Sequence, residues 1–316
     1  MAALMLCSVL SMVSCSGNDL VFQVDWDGCW IADVNNTKMK KLVIPAESPK
    51  GATVIGIFGD IFTECSKLES VTIPSTVTQI DGFVFNGCTS LTSITVEEGN
   101  PVYHSNGNCI IETETNILVA GCKGSVIPDY VTEIGYGAFA GTGIESVELH
   151  EGVKYISWGA FKNCRSLRSV HIPATVESID NNSLFHGCRE LESITVAEGN
   201  PVYFSIDNCL MEPGRLIRGC KTSIIPKVAV EIADYAFAGA SFTSITIPNN
   251  VRYMGKRVFE DCPELRDIYY NGTQAEWTST IDKCDEEYFE WDNNMSGEFT
   301  SSYTLHFEDG DLPVSK

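Results

Sequence analysis

Positive charge is what this chain has least of. Its 316 residues carry 21 lysines and arginines against 42 aspartates and glutamates, a formal net charge of −21. A field of that sign repels phosphate backbones and anionic bilayers, which argues against nucleic acid as a partner and leaves the membrane to be reached through an attached lipid. Beyond the N-terminal segment, no apolar stretch reaches the ~18 residues that a membrane helix requires. Histidine is scarce, with His104, His150, His171, His186 and His306 the full set, and none forms H-x-x-x-H or H-E-x-x-H. C-x-x-C, G-x-S-x-G, Walker A and G-x-G-x-x-G do not occur, so the usual marks of structural zinc, acyl transfer and phosphate binding are missing. His186-Gly187-Cys188 offers two metal ligands at most, while Asp25-x-Asp27-Gly28 and Asp309-Gly310-Asp311 are calcium-loop fragments that read as turns. The sequence therefore nominates no catalytic residue, no metal ligand and no cofactor, and the expectation is a protein that is not an enzyme.

The first residues, MAALMLCSVLSMVSCSGND, form a short apolar run ending in small residues, the grammar of a secretion signal spanning 1 to 15. Met12-Val13-Ser14-Cys15 is similar to a bacterial lipobox, which makes Cys15 the expected site of lipid attachment. The n-region departs from the pattern, since the first basic residue is Lys38. The chain is thus expected to be extracytoplasmic and lipid-anchored at the outer membrane, on the cell surface.

Thirteen cysteines in an exported chain would ordinarily suggest a disulfide framework. Here they follow an internal repeat instead. LFHGCRELESITV (184 to 196) is matched by VFNGCTSLTSITV (84 to 96), AFKNCRSLRSVHI (160 to 172), IFTECSKLESVTI (61 to 73) and VFEDCPELRDIYY (258 to 270), with weaker copies at 138 to 150 and 236 to 247. Cys65, Cys88, Cys164, Cys188 and Cys262 share one repeat position, so they are expected to pack as a row of buried thiols.

Each copy carries L-x-x-φ-x-φ, where φ is apolar, and the alternation in its last three places is strand period. Stacked strands of this kind make a parallel sheet. Pro74, Pro173 or Pro248 then ends the ladder pairing, because proline has no N–H, and V-x-x-I supplies a second inward pair. The motif resembles the BspA-type leucine-rich repeat of bacterial surface proteins, whose unit reads roughly A-F-x-G-C-x-S-L-x-S-I-x-I-P-x-x-V-x-x-I-G, and the resemblance runs from about residue 19 to 281.

The anchoring phenylalanines are mostly about two dozen residues apart, but longer steps separate Phe85 from Phe139 and Phe185 from Phe237. Residues 108 to 139 and 208 to 237 each contain two apolar runs around a polar turn, and 28 to 62 forms a divergent third copy turning at Asn35-Asn36. Each reads as a coil with a hairpin. The expected fold is one repeat solenoid over 19 to 281, a right-handed leucine-rich-repeat superhelix of short parallel β-strands with short helical or 3-10 turns and hairpin insertions. A C-terminal cap is expected over 282 to 316, where Tyr288, Phe289 and Trp291 follow Trp277.

The family resemblance implies a scaffold for adhesion or protein binding whose partner is an extracellular-matrix or cell-surface protein. The alternative is a carbohydrate-binding accessory lipoprotein of a surface glycan-uptake system, which needs clustered aromatics on one exposed face. Strand positions between the two apolar residues, Thr72, Thr95, Glu148, His171, Thr195, Thr246 and Tyr269, form the candidate binding face. EGNPVYHSNGNC at 98 to 109 recurs as EGNPVYFSIDNC at 198 to 209. Turn and core residues persist between them while His104 becomes Phe204 and Asn106 becomes Ile206, so the stretch reads as scaffold with variable positions open to a ligand.

Overall fold

The computed structural model describes residues 12–14, 19–25, 28–180, 183–281 and 303–314; Cys15, Tyr288, Phe289 and Trp291 lie outside them. Two rows of strands run along a solenoid. The first row comes from the S-φ-x-φ segments and falls into three parallel blocks: Lys41–Val43, Ser70–Ile73 and Ser93–Val96; Ser146–Glu148, Ser169–Ile172 and Ser193–Val196; Ser244–Ile247, Asp267–Tyr270 and Tyr303–Phe307. The second row consists of shorter pieces at the V-x-x-I positions, among them Glu133–Ile134, Tyr155–Ile156 and Ser178–Ile179, paired in parallel.

Hairpins separate the blocks. Tyr103–Asn106, Cys109–Glu112 and Ile117–Ala120 form an antiparallel meander whose last strand joins the second row alongside Glu133–Ile134. Phe204–Ile206, Cys209–Glu212 and Arg215–Arg218 repeat it beside Glu231–Ile232. The stack passes behind both insertions, since Gly87 N donates to Gly141 O (3.2 Å), and Lys123 N and Lys221 N donate to Leu91 O and Leu191 O.

The first copy departs from the sequence expectation. Cys29–Val34 pairs antiparallel with Leu20–Val24, turning at Asp25 to Gly28, and Lys41–Val43 beyond Asn35-Asn36 belongs to the first row instead. The residues after that turn, Lys38 to Lys41, lack a second apolar run; Lys40 pairs with Glu69 of the next coil at 2.7 Å.

The interior follows from the repeat. Leu68, Leu91, Leu167 and Leu265 have no exposed surface, and burying each such side chain is worth roughly 1.5–3 kcal/mol. The phenylalanines stack coil on coil, Phe139 on Phe161 at 5.5 Å and Phe161 on Phe185 at 5.8 Å. Two residues before each Phe stands a residue in the left-handed region: Asp60, Phe83, Gly137, Gly159, Ser183, Tyr235 and Arg257. That residue stops a helix from propagating, so the expected short turns are consecutive i→i+3 hydrogen-bonded turns, such as Asn86 N to Phe83 O and Cys88 N to Phe85 O.

After Tyr270 the chain forms the helix α1, Gln274–Ile281. Thr273 and Glu276 make a reciprocal capping box, Glu276 N to Thr273 Oγ1 at 3.2 Å and Thr273 N to Glu276 Oε2 at 2.8 Å. Trp277 is buried against Tyr270 and Phe307. Gly310–Val314 then pairs antiparallel with Tyr303–Phe307, and Pro313 on this outer strand blunts it as a template for further pairing.

Candidate functional site

The residues of the candidate face occupy the middle of each first-row strand, in direct register within a block. Thr72 pairs with Thr95, Glu148 with His171 and His171 with Thr195, and Thr246 with Tyr269. Thr72 is half-buried and the others are exposed. His171 and Thr195 are hydrogen-bonded across their strands, Nδ1 to Oγ1, at 3.0 Å. Register adds two residues that the sequence pattern does not single out. Val43 stands beside Thr72, and His306 beside Tyr269, where the two rings stack at 4.5 Å. The blocks form three short patches with a hairpin coil between each, so no single strip carries all seven residues.

A rail of alternating charge flanks the face. Lys40 meets Glu69, Lys123 meets Glu145 at 2.7 Å, and Glu192 sits between Arg168 (3.7 Å) and Lys221 (2.8 Å). Contact with Lys123 lowers the Glu145 carboxyl and contact with Lys221 lowers that of Glu192. These pairs are largely exposed, so each contributes little stability; they neutralise the acid excess beside the strands.

The two hairpin units differ most at their outer edge. In the first, His104 Nε2 lies 2.9 Å from Tyr130 Oη, His104 Nδ1 lies 3.0 Å from Thr113 Oγ1, and Asn106 Nδ2 donates to Tyr130 Oη at 3.1 Å. In the second, aligning Cys109 with Cys209 and Cys122 with Cys220 puts Phe204, Ile206 and Val228 in the places of His104, Asn106 and Tyr130. Val230 likewise replaces Thr132 and Ile224 replaces Val126. The polar network of one unit becomes an apolar patch in the other, with Ile224 67% and Val228 53% exposed and Val202, Phe204, Ile206 and Val230 exposed beside them in the unit. Water solvates such groups poorly, and their replacement of satisfied polar groups makes this edge a candidate surface. The sequence signalled positions 204 and 206 as variable; Val228 and Ile224 required the unit-to-unit alignment that the structure justifies.

A second cluster lies on the turn edge. Phe83 meets Tyr136 and Trp158 edge-on at 4.9 and 5.4 Å, Tyr136 and Trp158 are stacked at 5.2 Å, and Lys162 Nζ lies 5.2 Å from the Trp158 ring. The left-handed Phe83, and the glycines at 137 and 159 across which it packs, bring these rings together. Ring spacing in sequence alone did not reveal the cluster.

All ten described cysteines are free and buried. Cys164 Sγ donates to Phe139 O at 3.0 Å, Cys188 Sγ to Phe161 O at 3.0 Å and Cys262 Sγ to Phe237 O at 3.2 Å. Burial pushes the Cys109, Cys209 and Cys262 thiols up to about 12. Among the described residues no group of three His, Cys, Asp or Glu side chains is placed to hold a metal ion, and no helix is long and apolar enough to cross a membrane.

Comparison with known sequences finds six matches to the BspA type leucine-rich repeat region, over residues 35–113, 121–208 and 218–304. No curated protein matches. Among solved structures, a leucine-rich cell surface protein from Faecalibacterium prausnitzii is 25% identical with a TM-score of 0.47, covering 86% of this chain and 78% of that one. A leucine-rich repeat protein from Bacteroides ovatus is 22% identical with a TM-score of 0.41, over 84% of this chain and 64% of that one.

Proposed function

The chain belongs to the BspA-type leucine-rich repeat family, and from that membership we propose that it is a non-enzymatic, exported module of the bacterial surface that recognises a protein partner. What supports a protein partner is the apolar edge of the second hairpin unit. Phe204, Ile206 and Val228 stand in solvent where the sister unit keeps the hydrogen-bonded His104, Asn106 and Tyr130, and Ile224 is exposed as its counterpart Val126 is. The buried core of a protein interface is more apolar than its rim, so these side chains fit the core and the polar strand faces the hydrogen-bonding rim. On this reading the solenoid from 19 to 281 is the binding unit, Cys15 holds it to the outer membrane, and the residues after 281 close its end.

The glycan alternative rests on the Phe83, Tyr136 and Trp158 cluster. Sugars stack on a free ring face, whereas Tyr136 and Trp158 cover one another and Lys162 lies over the Trp158 ring. The protein reading is therefore preferred.

A parallel binding screen against extracellular-matrix proteins and polysaccharides tests the choice. Wild type is expected to bind a protein saturably, and Phe204→His with Ile206→Asn and Val228→Tyr, which installs the residues of the sister unit, should weaken that binding at least ~10-fold, about 1.4 kcal/mol. Saturable polysaccharide binding that is lost in Trp158→Ala, with no protein ligand, overturns the proposal.

A further inference from the structure

Arg218 ends the third strand of the second hairpin unit, in the place that Ala120 fills in the first. It is 1% exposed, and its Nε, Nη1 and Nη2 find no hydrogen-bond partner among the described residues. A guanidinium cannot shed its proton at neutral pH; burial lowers Arg218 to about 10, which still leaves it charged. An unpaired buried cation is among the costliest groups a core can hold, and it persists where an opposite charge accompanies it.

The groups around Arg218 do not supply that charge. Its electrostatic neighbours are the thiols of Cys188 and Cys262 and the imidazole of His186. Both thiols donate to backbone carbonyls, and burial raises both, Cys262 to about 12 and Cys188 well above the ordinary thiol range, so they remain neutral. Burial, reinforced by the positive charges of Arg218 and Lys162, pulls His186 down to about 4, so it too is neutral and bears no negative charge. The nearby carboxylate, Asp261, is bound through both oxygens at 3.3 Å to Nη2 of Arg189, which bridges from the coil of Phe185 to that of Phe259. Among the described residues, one positive charge is left over in a core lined by neutral groups.

We propose that Arg218 is the seat of a small monovalent anion, held by the guanidinium fork beside Cys188 and Cys262, that locks the second hairpin unit to the coils on either side. One negative charge balances the site, whereas a divalent ion would leave an uncompensated charge of the opposite sign. The fork accepts a halide or a planar oxyanion of that charge, such as nitrate or a small carboxylate. The unit with Ala120 has no such cation and needs no ion.

Thermal unfolding of the purified protein at pH 7 and constant ionic strength tests this, with bulky gluconate exchanged stepwise for chloride, nitrate or acetate. Wild type is expected to gain Tm by near-equal steps for each tenfold rise in at least one of the small anions, and the anion that acts distinguishes halide from oxyanion. Arg218→Ala and Arg218→Met should lose that response and, in gluconate, unfold at or above the wild-type temperature. A wild-type Tm indifferent to all three anions, or a response retained in both variants, overturns the proposal. Should neither variant fold, crystals of wild type grown in bromide decide it by anomalous diffraction. Bromide at the Arg218 guanidinium upholds the site, and crystals grown in bromide, nitrate and acetate that all lack an anion there refute it.

Discussion

Asn100 and Asn200, one hundred residues apart, clamp their solenoid coils through the same four hydrogen bonds. Asn100 Nδ2 donates to Pro74 O and Val77 O at 3.3 and 2.7 Å, while Oδ1 accepts from Val102 N and Tyr103 N at 2.9 and 2.7 Å. Asn200 does likewise with Pro173 O and Val176 O at 3.1 and 2.9 Å, and with Val202 N and Tyr203 N at 2.9 and 2.7 Å. Each side chain ties the turn after a first-row strand to the carbonyls of the coil before it. Replacing either by Ala leaves two donors and two acceptors without their partner, and each variant is expected to lose about 1–3 kcal/mol. Because the two clamps share no neighbour, the double variant should lose the sum to within ~0.5 kcal/mol. Urea unfolding midpoints measure both. A neutral Asn200→Ala would mean that the turn holds itself.

Glycine substitutions separate conformational strain from steric clash. Gly99 and Gly239 both lie in the left-handed region, at φ 84° and 77°. A Cβ on Gly99 meets nothing within 4 Å, whereas one on Gly239 falls 2.2 Å from the backbone nitrogen of Gly187 in the neighbouring coil. Gly99→Ala should therefore cost about 1 kcal/mol, the left-handed penalty alone. Gly239→Ala must also push two coils apart and is expected to cost more than ~3 kcal/mol or prevent folding. Equal losses in thermal denaturation would contradict this packing of the turns.

Much of this architecture is legible in the sequence, because each repeated residue makes a repeated contact with its neighbour: leucine inward, proline at the strand end, cysteine against the carbonyl of the preceding phenylalanine. What the sequence conceals depends on which coils touch. The chain gives Arg218 and Ala120 as an ordinary substitution in an apolar run, and burial turns it into an unpaired charge. The Phe83, Tyr136 and Trp158 cluster joins residues from three coils, and spacing along one coil does not predict it. The first hairpin departs from its sequence pattern because Asn35-Asn36 is a good turn signal, while the antiparallel pairing lies on the other side of Cys29–Val34.

The thiol row makes a prediction about chemistry. Thiolate is the reactive form of cysteine, and burial raises Cys88, Cys109, Cys188, Cys209 and Cys262. In the native protein at pH 8 these thiols should resist Ellman's reagent and react at the rate of unfolding. In guanidinium without reductant, all eleven cysteines of the chain from Asp19 onward should titrate at once. A count two or more below that number reveals a disulfide and breaks the row.

His306 gives the C-terminal hairpin a pH dependence. Its Nε2 bonds Asp267 Oδ1 and its Nδ1 bonds Asp311 Oδ1, each at 2.9 Å, so protonated imidazole bridges the last solenoid strand and the outermost strand. The Asp267 contact foremost, aided by Asp311, raises the His306 pKa above that of free histidine. A group whose pKa is higher folded than unfolded stabilises the fold fully below the unfolded value, about 6.5, and loses that contribution as pH climbs through the folded value. Amide protection in 303–314, corrected for intrinsic exchange, should therefore fall as pH climbs from the unfolded value through the folded one, and added salt should blunt the effect at this partly exposed site. Asp267→Asn is expected to lower the His306 pKa in an NMR titration and move the loss of protection to lower pH, while His306→Gln should flatten that part of the profile. Protection that is unchanged with pH in wild type, or an unmoved His306 titration in Asp267→Asn, would show that the strand is held by its backbone ladder without help from the imidazolium.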